Sequence, residues 1–284
     1  LGVLGVFKYL TFLVRTVDQL PGVAIVVPSI VLPVGISFFT FQGLSYVIDV
    51  YRNERLKSTR FRDVLLYIAL FTQLVAGPIV RYEEVADEIK GRRHTLEKLG
   101  NGLRRFIIGL SKKLLIADKM GQYADLMFTG VHNGTLPSLY TAWFGVLAYT
   151  LQIYFDFSGY SDMAVGLSLC LGVRLPLNFN SPYKSTSIIE FWRRWHMTLG
   201  TWFRDYIYFP MGGSRVKPAR HILNLITVWF VTGMWHGAEY NFILLGLYYC
   251  VLLILEKCFY GKYLERSKIL SHVYFAIITV CGFM

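Results

Sequence analysis

Between Ile222 and Leu255 the chain is almost unbrokenly apolar, and only His236, Glu239 and Cys250 in that run exchange a proton in the physiological range. A run of this kind reads as membrane-embedded, and an ionisable group at membrane depth is costly enough to be read by default as functional. A neutral imidazole costs less than a charge and still takes a proton, which suits His236 to act as a base in a dry site. The small residues that follow it in Gly233-Met234-Trp235-His236-Gly237-Ala238 leave room for a substrate to approach. The competing reading is a histidine bonded to a neighbouring helix for packing alone.

Composition points the same way. The chain is 54% hydrophobic and 17% charged, where soluble domains run roughly 45–50% apolar with about 25% charged residues. One integral membrane bundle fits the long apolar runs better than two soluble domains. The net charge of +11 sits in short loops between apolar segments. That pattern fits cytoplasmic loops and anionic lipid, not nucleic acid. Cys170, Cys250, Cys258 and Cys281 have no paired or metal-type spacing and read as small apolar residues. No signal peptide is visible, and both ends fall inside apolar stretches, so residues 1–284 are expected to be a single domain truncated at both ends.

A spanning helix needs about 20 apolar residues. Leu1–Val14 is a partial candidate, and Val23–Val50 a full one that Pro28 and Pro33 break early. Basic loops at Arg52–Arg62 and Arg81–Arg105 flank Val64–Val80 on both sides, so a re-entrant or interfacial element containing Gly77-Pro78 is expected there, with its irregular backbone buried in protein. Leu103–Phe128 is amphipathic and should lie in the interface or against other helices. Thr129–Pro137 carries no formal charge and reads as extracytoplasmic; its Asn133-Gly134-Thr135 is a glycosylation acceptor or simply a turn.

Ser138–Val173 is too long for one crossing, and the polar run Asp156 to Asp162 is expected to divide it. Asp156 and Asp162 then line a cavity, form internal ion pairs or cap a helix start. Ile188–Phe209, placed at 100° per residue, puts Arg193, Arg194, Thr201, Arg204 and Asp205 on one side and Phe191, Trp195, Trp202 and Tyr206 on the other. That predicts one interfacial helix with aromatic anchors, with His196 on its apolar side. Basic residues from Arg215 to Arg220 and from Lys257 to Lys268 require Ile222–Leu255 to go in and return, as a hairpin whose tip, Gly233 to Asn241, holds His236.

His94, His132, His221 and His272 lie in loops or at segment ends and read as structural. A metal site from His196, His221 and His236 has no supporting spacing. A nucleotide-binding glycine loop and a nucleophile elbow are both absent, so covalent serine or cysteine chemistry has no support.

Several long motifs carry a family resemblance. The runs Phe191 to Leu199, Trp202 to Gly213, Gly233 to Ala238, Phe38 to Gln42 with Ile48 to Tyr51, and Gln73 to Arg81 resemble those of membrane-bound O-acyltransferases, in order and over nearly the whole chain. The segment Tyr208-Phe209-Pro210-Met211-Gly212-Gly213 looks like the branch that acetylates alginate and peptidoglycan more than the one that transfers D-alanine to teichoic acid. The resemblance implies an all-α polytopic bundle of the inner membrane, with re-entrant and interfacial helices around a buried tunnel. It implies an acyl thioester of the acetyl-CoA type as donor substrate with no bound cofactor or metal, a polysaccharide acceptor, and an acetyl-relay protein at the periplasm or cell surface as partner. Its two functional histidines fall on His236 and His196. Outside the family, a transporter or flippase using Asp156, Asp162 and His236 as a polar path, or a non-catalytic scaffold for a polymer-export complex, is the alternative.

Overall fold

Helices are the only regular elements among the described residues of this computed structural model. It describes residues 1–58, 60–75, 77–264 and 267–282. Ala76 of the Gln73–Arg81 motif and Arg266 of the last basic loop lie outside the described residues, as do the side chains of Lys262, Val280 and Cys281.

A single helical turn at Gly2–Leu4 and a π turn at Gly5–Tyr9 lead into α1 (Leu10–Asp18). Residues 23–34, with Pro28 and Pro33, are not helical, so the expected long span starts only at α2 (Ile36–Arg52), behind a left-handed Gly35. Proline lacks the amide hydrogen that a helix interior needs, which accounts for the late start. α3 (Phe61–Ala69) and the short helix Phe71–Leu74 lead into irregular backbone at residues 77–80, and all four of those residues are buried in protein, as the sequence requires. α4 (Tyr82–Lys90) follows.

α5 (Leu96–Ser111) and α6 (Asp118–His132) are joined by a π turn at Lys112–Ala117 and pack along α7 (Leu139–Cys170). Asn133-Gly134 forms the turn before α7, with Gly134 at φ 81°. The expected division of the Ser138–Val173 segment is wrong, because α7 runs unbroken for 32 residues, about 48 Å at 1.5 Å per residue. Its carboxylates find cations on a neighbouring element instead of capping a break. Lys113 reaches Asp156 at 2.6 Å, and Arg105 and Lys112 reach Asp162 at 2.7 and 2.6 Å. Small residues bring these backbones together. A Cβ on Gly109 would lie 2.5 Å from the Gly159 carbonyl oxygen, the close approach expected of small-residue helix interfaces.

The predicted single helix over Ile188–Phe209 is also corrected. It is α8 (Ile188–Arg194) and α9 (Met197–Phe203), followed by a π turn at Arg204–Tyr208, with a sharp break at Trp195 and His196. The aromatic residues assigned as interfacial anchors are core residues. Trp202 stacks on Phe41 with ring centroids 3.9 Å apart, and Phe191 and Trp195 pack with Tyr249 and Phe275.

The hairpin forms as expected from α10 (Pro218–His236) and α11 (Tyr240–Leu255), though its tip is only residues 237–239. Gly233 lets the arms touch there, since a Cβ would meet the Phe242 carbonyl oxygen at 2.5 Å. Residues Tyr240–Tyr260, with mean hydropathy 2.0 over their most apolar window, form the one helix among the described residues long and apolar enough to cross a membrane. α12 (Lys268–Gly282) closes the bundle.

Candidate active site

The break between α8 and α9 sets the site. His196 sits at φ 42°, ψ 53°, in the left-handed region. A non-glycine residue held there costs of order 1–3 kcal/mol and persists only where its surroundings over-determine it. Here they do. The Met197 amide donates to the Asn178 carbonyl at 2.9 Å, and the Asn180 amide to the Arg194 carbonyl at 2.9 Å. The Thr198 hydroxyl donates to Asn178 Oδ1 at 2.8 Å while accepting from the Ile79 amide at 2.9 Å. On α8, burial opposes ionisation of Glu190, but bonds from Thr186 and Arg194 outweigh it and hold its carboxyl below the ordinary value.

This geometry turns the His196 ring inward. Its side chain is buried, packs edge-on against Phe157 with centroids 4.8 Å apart, and lies 5.9 Å from the Trp235 ring. Neither ring nitrogen has a hydrogen-bond partner. Buried polar groups are normally satisfied, so two unpartnered nitrogens on a strained residue make His196 a candidate functional residue.

His236 is the last residue of α10, and its Nδ1 lies 2.8 Å from the Thr232 carbonyl oxygen. A carbonyl only accepts, so Nδ1 carries the proton and Nε2 keeps its lone pair. His236 and His196 line one cavity of about 710 Å³, walled by Trp192, Leu225, Val228 and Trp229. Arg193 and Arg204 line it too, whereas Arg194 turns to Glu190 at 2.8 Å.

The motifs singled out in sequence also bond to one another. Tyr206 donates to Asp49 at 2.6 Å, Trp202 Nε1 to the Phe41 carbonyl at 3.3 Å, and Gln42 to Gln73 at 2.6 Å. The structural histidines stay outside; His221 pairs with the Tyr208 hydroxyl at 3.0 Å. Among the described residues no three His, Cys, Asp or Glu side chains converge as a metal site would need. Asp156 and Asp162 are absent from the cavity wall and are ion-paired between helices.

Sequence reasoning missed four contributors. Asn178 and Thr198 hold the break, and Lys8 and Tyr9 hold the end of α10. The Tyr9 hydroxyl donates to the Met234 carbonyl at 2.9 Å, and Lys8 donates to the Trp235 carbonyl and, at 2.9 Å, to Ser37. A helix leaves its last carbonyls unpaired, and a cation there is favourable. The π turn Gly5–Tyr9 contains both donors. Lys8 alone had a signal in the sequence, as a lone lysine in an apolar stretch.

Residues 52–279 match the membrane-bound O-acyltransferase family, and the chain belongs to it. It is 45% identical over 259 residues to a probable alginate O-acetylase of Azotobacter vinelandii, covering 90% of this chain and 51% of that protein. It is 37% identical over 283 residues to a peptidoglycan O-acetyltransferase of Helicobacter pylori, covering 90% and 53%. It is 31% identical over 245 residues to a teichoic acid D-alanyltransferase of Bacillus subtilis, covering 82% and 61%. The chain spans about half the length of the alginate and peptidoglycan relatives.

Proposed function

We propose that this chain carries the catalytic core of an inner-membrane, multi-pass enzyme that moves an acetyl group from a cytoplasmic thioester donor to a hydroxyl of an extracytoplasmic polysaccharide or of a relay protein. The observation that carries the reading is the single cavity shared by an inward-facing His196 and a His236 with a free Nε2 lone pair. His236 Nε2 takes the hydroxyl proton as the oxygen attacks the thioester carbonyl. The tetrahedral intermediate then collapses, the C–S bond breaks, and the thiolate takes the proton back from His236. His196, through one N–H, donates to the carbonyl oxygen as its negative charge develops. Arg193 and Arg204 attract phosphates of the donor. The hairpin of α10 and α11 and the buried irregular segment at residues 77–80 are read as re-entrant elements enclosing a tunnel to this site.

Acetyl is favoured over D-alanyl by the greater similarity to the acetylating relatives. The test supplies radiolabelled acetyl-CoA to membranes holding the full-length protein and its acceptor. Covalent label on polymer or partner protein is expected. Label that crosses the membrane only as intact donor would identify a transporter instead.

In the same assay, Lys8→Met is expected to lower kcat about tenfold with KM within about twofold, because the loosened end of α10 misplaces the base. Lys8→Arg keeps the cation at the Trp235 carbonyl and retains most of the rate. Equal kcat for Lys8→Met and the natural protein, with normal insertion, rules out a positioning role for Lys8.

A further inference from the structure

One residue beyond Phe157, on which His196 packs, Ser158 lines a second cavity of about 180 Å³ with Ser161, Asp162, Arg105, Lys112 and Asn178. Arg105 donates to Asp162 Oδ1 through Nε at 3.0 Å and Nη2 at 2.7 Å, and Lys112 reaches Oδ2 at 2.6 Å. Among the described residues no other carboxylate pairs with either cation, so two positive charges share one negative. The cavity lies between helices and keeps an excess positive charge.

It also has unused hydrogen-bond donors. Ser158 Oγ and Asn178 Nδ2 are buried without a partner, each residue being only 2% exposed. Turning the Asn178 amide over would not relieve this, because its Oδ1 accepts from both the Thr198 hydroxyl at 2.8 Å and the Thr198 backbone amide at 3.4 Å, and a flip would set two N–H donors against each other. A hydroxyl and an amide N–H are left without partners on two residues that line a positively charged, polar space. Buried donors without partners are costly, and the complement to all of them is an acceptor-rich anion. A water occupies about 30 Å³, so the cavity has room for a phosphate group with several waters.

We propose that this cavity binds a phosphate-class oxyanion, either inorganic phosphate or the phosphate of a lipid headgroup, held by Arg105, Lys112, Ser158 and Asn178. Asp162 stands against the anion, with both of its oxygens committed to the two cations. Occupancy braces Asn178, and through the Asn178 carbonyl the Met197 amide, and so the left-handed turn that aims His196. The binding does not depend on the acyl-transfer reading and is measured without any turnover.

The experiment uses full-length protein in phosphate-free dodecyl maltoside, unfolded by heat at increasing inorganic phosphate with ionic strength fixed by potassium chloride. A ligand of the native state alone raises the midpoint in a saturable way, and that rise is expected here. Ser158→Ala is expected to shift the half-saturating phosphate concentration upward about tenfold, and Lys112→Gln to abolish the response. A parallel titration with phosphatidic acid in the same micelles distinguishes the sources. A response to phosphate assigns the free anion, and a response to the lipid alone assigns a headgroup. If Lys112→Gln does not fold, the Ser158→Ala comparison decides. A midpoint indifferent to both ligands, or a response that Ser158→Ala leaves unchanged, overturns the proposal.

Discussion

His236→Ala in the full-length protein is expected to lower acyl transfer about 10²–10⁴-fold, the usual contribution of a positioned general base. The loss should appear in kcat. The variant gives up one bond to the Thr232 carbonyl, and at a helix end that carbonyl is easily hydrated, so stability should change by no more than about 1 kcal/mol. The measurement is label transferred to polymer, together with the amount of folded protein in the membrane. Undiminished transfer by well-inserted His236→Ala would remove the base from the mechanism. A scaffold role predicts that outcome, with partner binding intact.

His196 allows a sharper separation of strain from chemistry. His196→Gly relieves the left-handed backbone, worth about 1 kcal/mol or more, while losing the packing of the imidazole on Phe157. His196→Ala loses the packing and keeps the strain, and should cost about 1–3 kcal/mol. The glycine variant is therefore expected to unfold at or above the temperature of the alanine variant and close to that of the natural protein. Both should lose acyl transfer by more than about tenfold, because neither supplies an N–H to the developing oxyanion. Thermal unfolding in detergent and the labelled-donor assay give the two readouts. A glycine variant as active as the natural protein would make His196 a packing residue only.

The features that were legible are those written in local pattern. Apolar runs and basic loops located the α10 and α11 hairpin and put His236 near its tip, because burial and charge placement act over a single turn or span. The division wrongly expected at Asp156 to Asp162 shows the limit. Whether a partly buried carboxylate breaks a helix depends on a cation elsewhere, and Lys112 stands 50 positions from Asp162. The wheel over Ile188–Phe209 failed differently. Projection at 100° per residue assumes a continuous helix, and the left-handed turn at His196 is imposed by Asn178, a residue the projection does not contain. The projection puts His196 on the apolar side of that one helix, whereas its ring packs on Phe157 of α7 and lies 5.9 Å from Trp235 of α10.

The contact between Lys8 and the Trp235 carbonyl joins residues 227 positions apart. At 5–20 residues per second, the ribosome makes the first partner roughly ten to fifty seconds before the second. For that interval the nearer partner of the Lys8 ammonium is Ser37, 29 positions on. The base proposed above, His236, is the last residue of α10, so acyl transfer is expected only from chains whose translation has passed the hairpin.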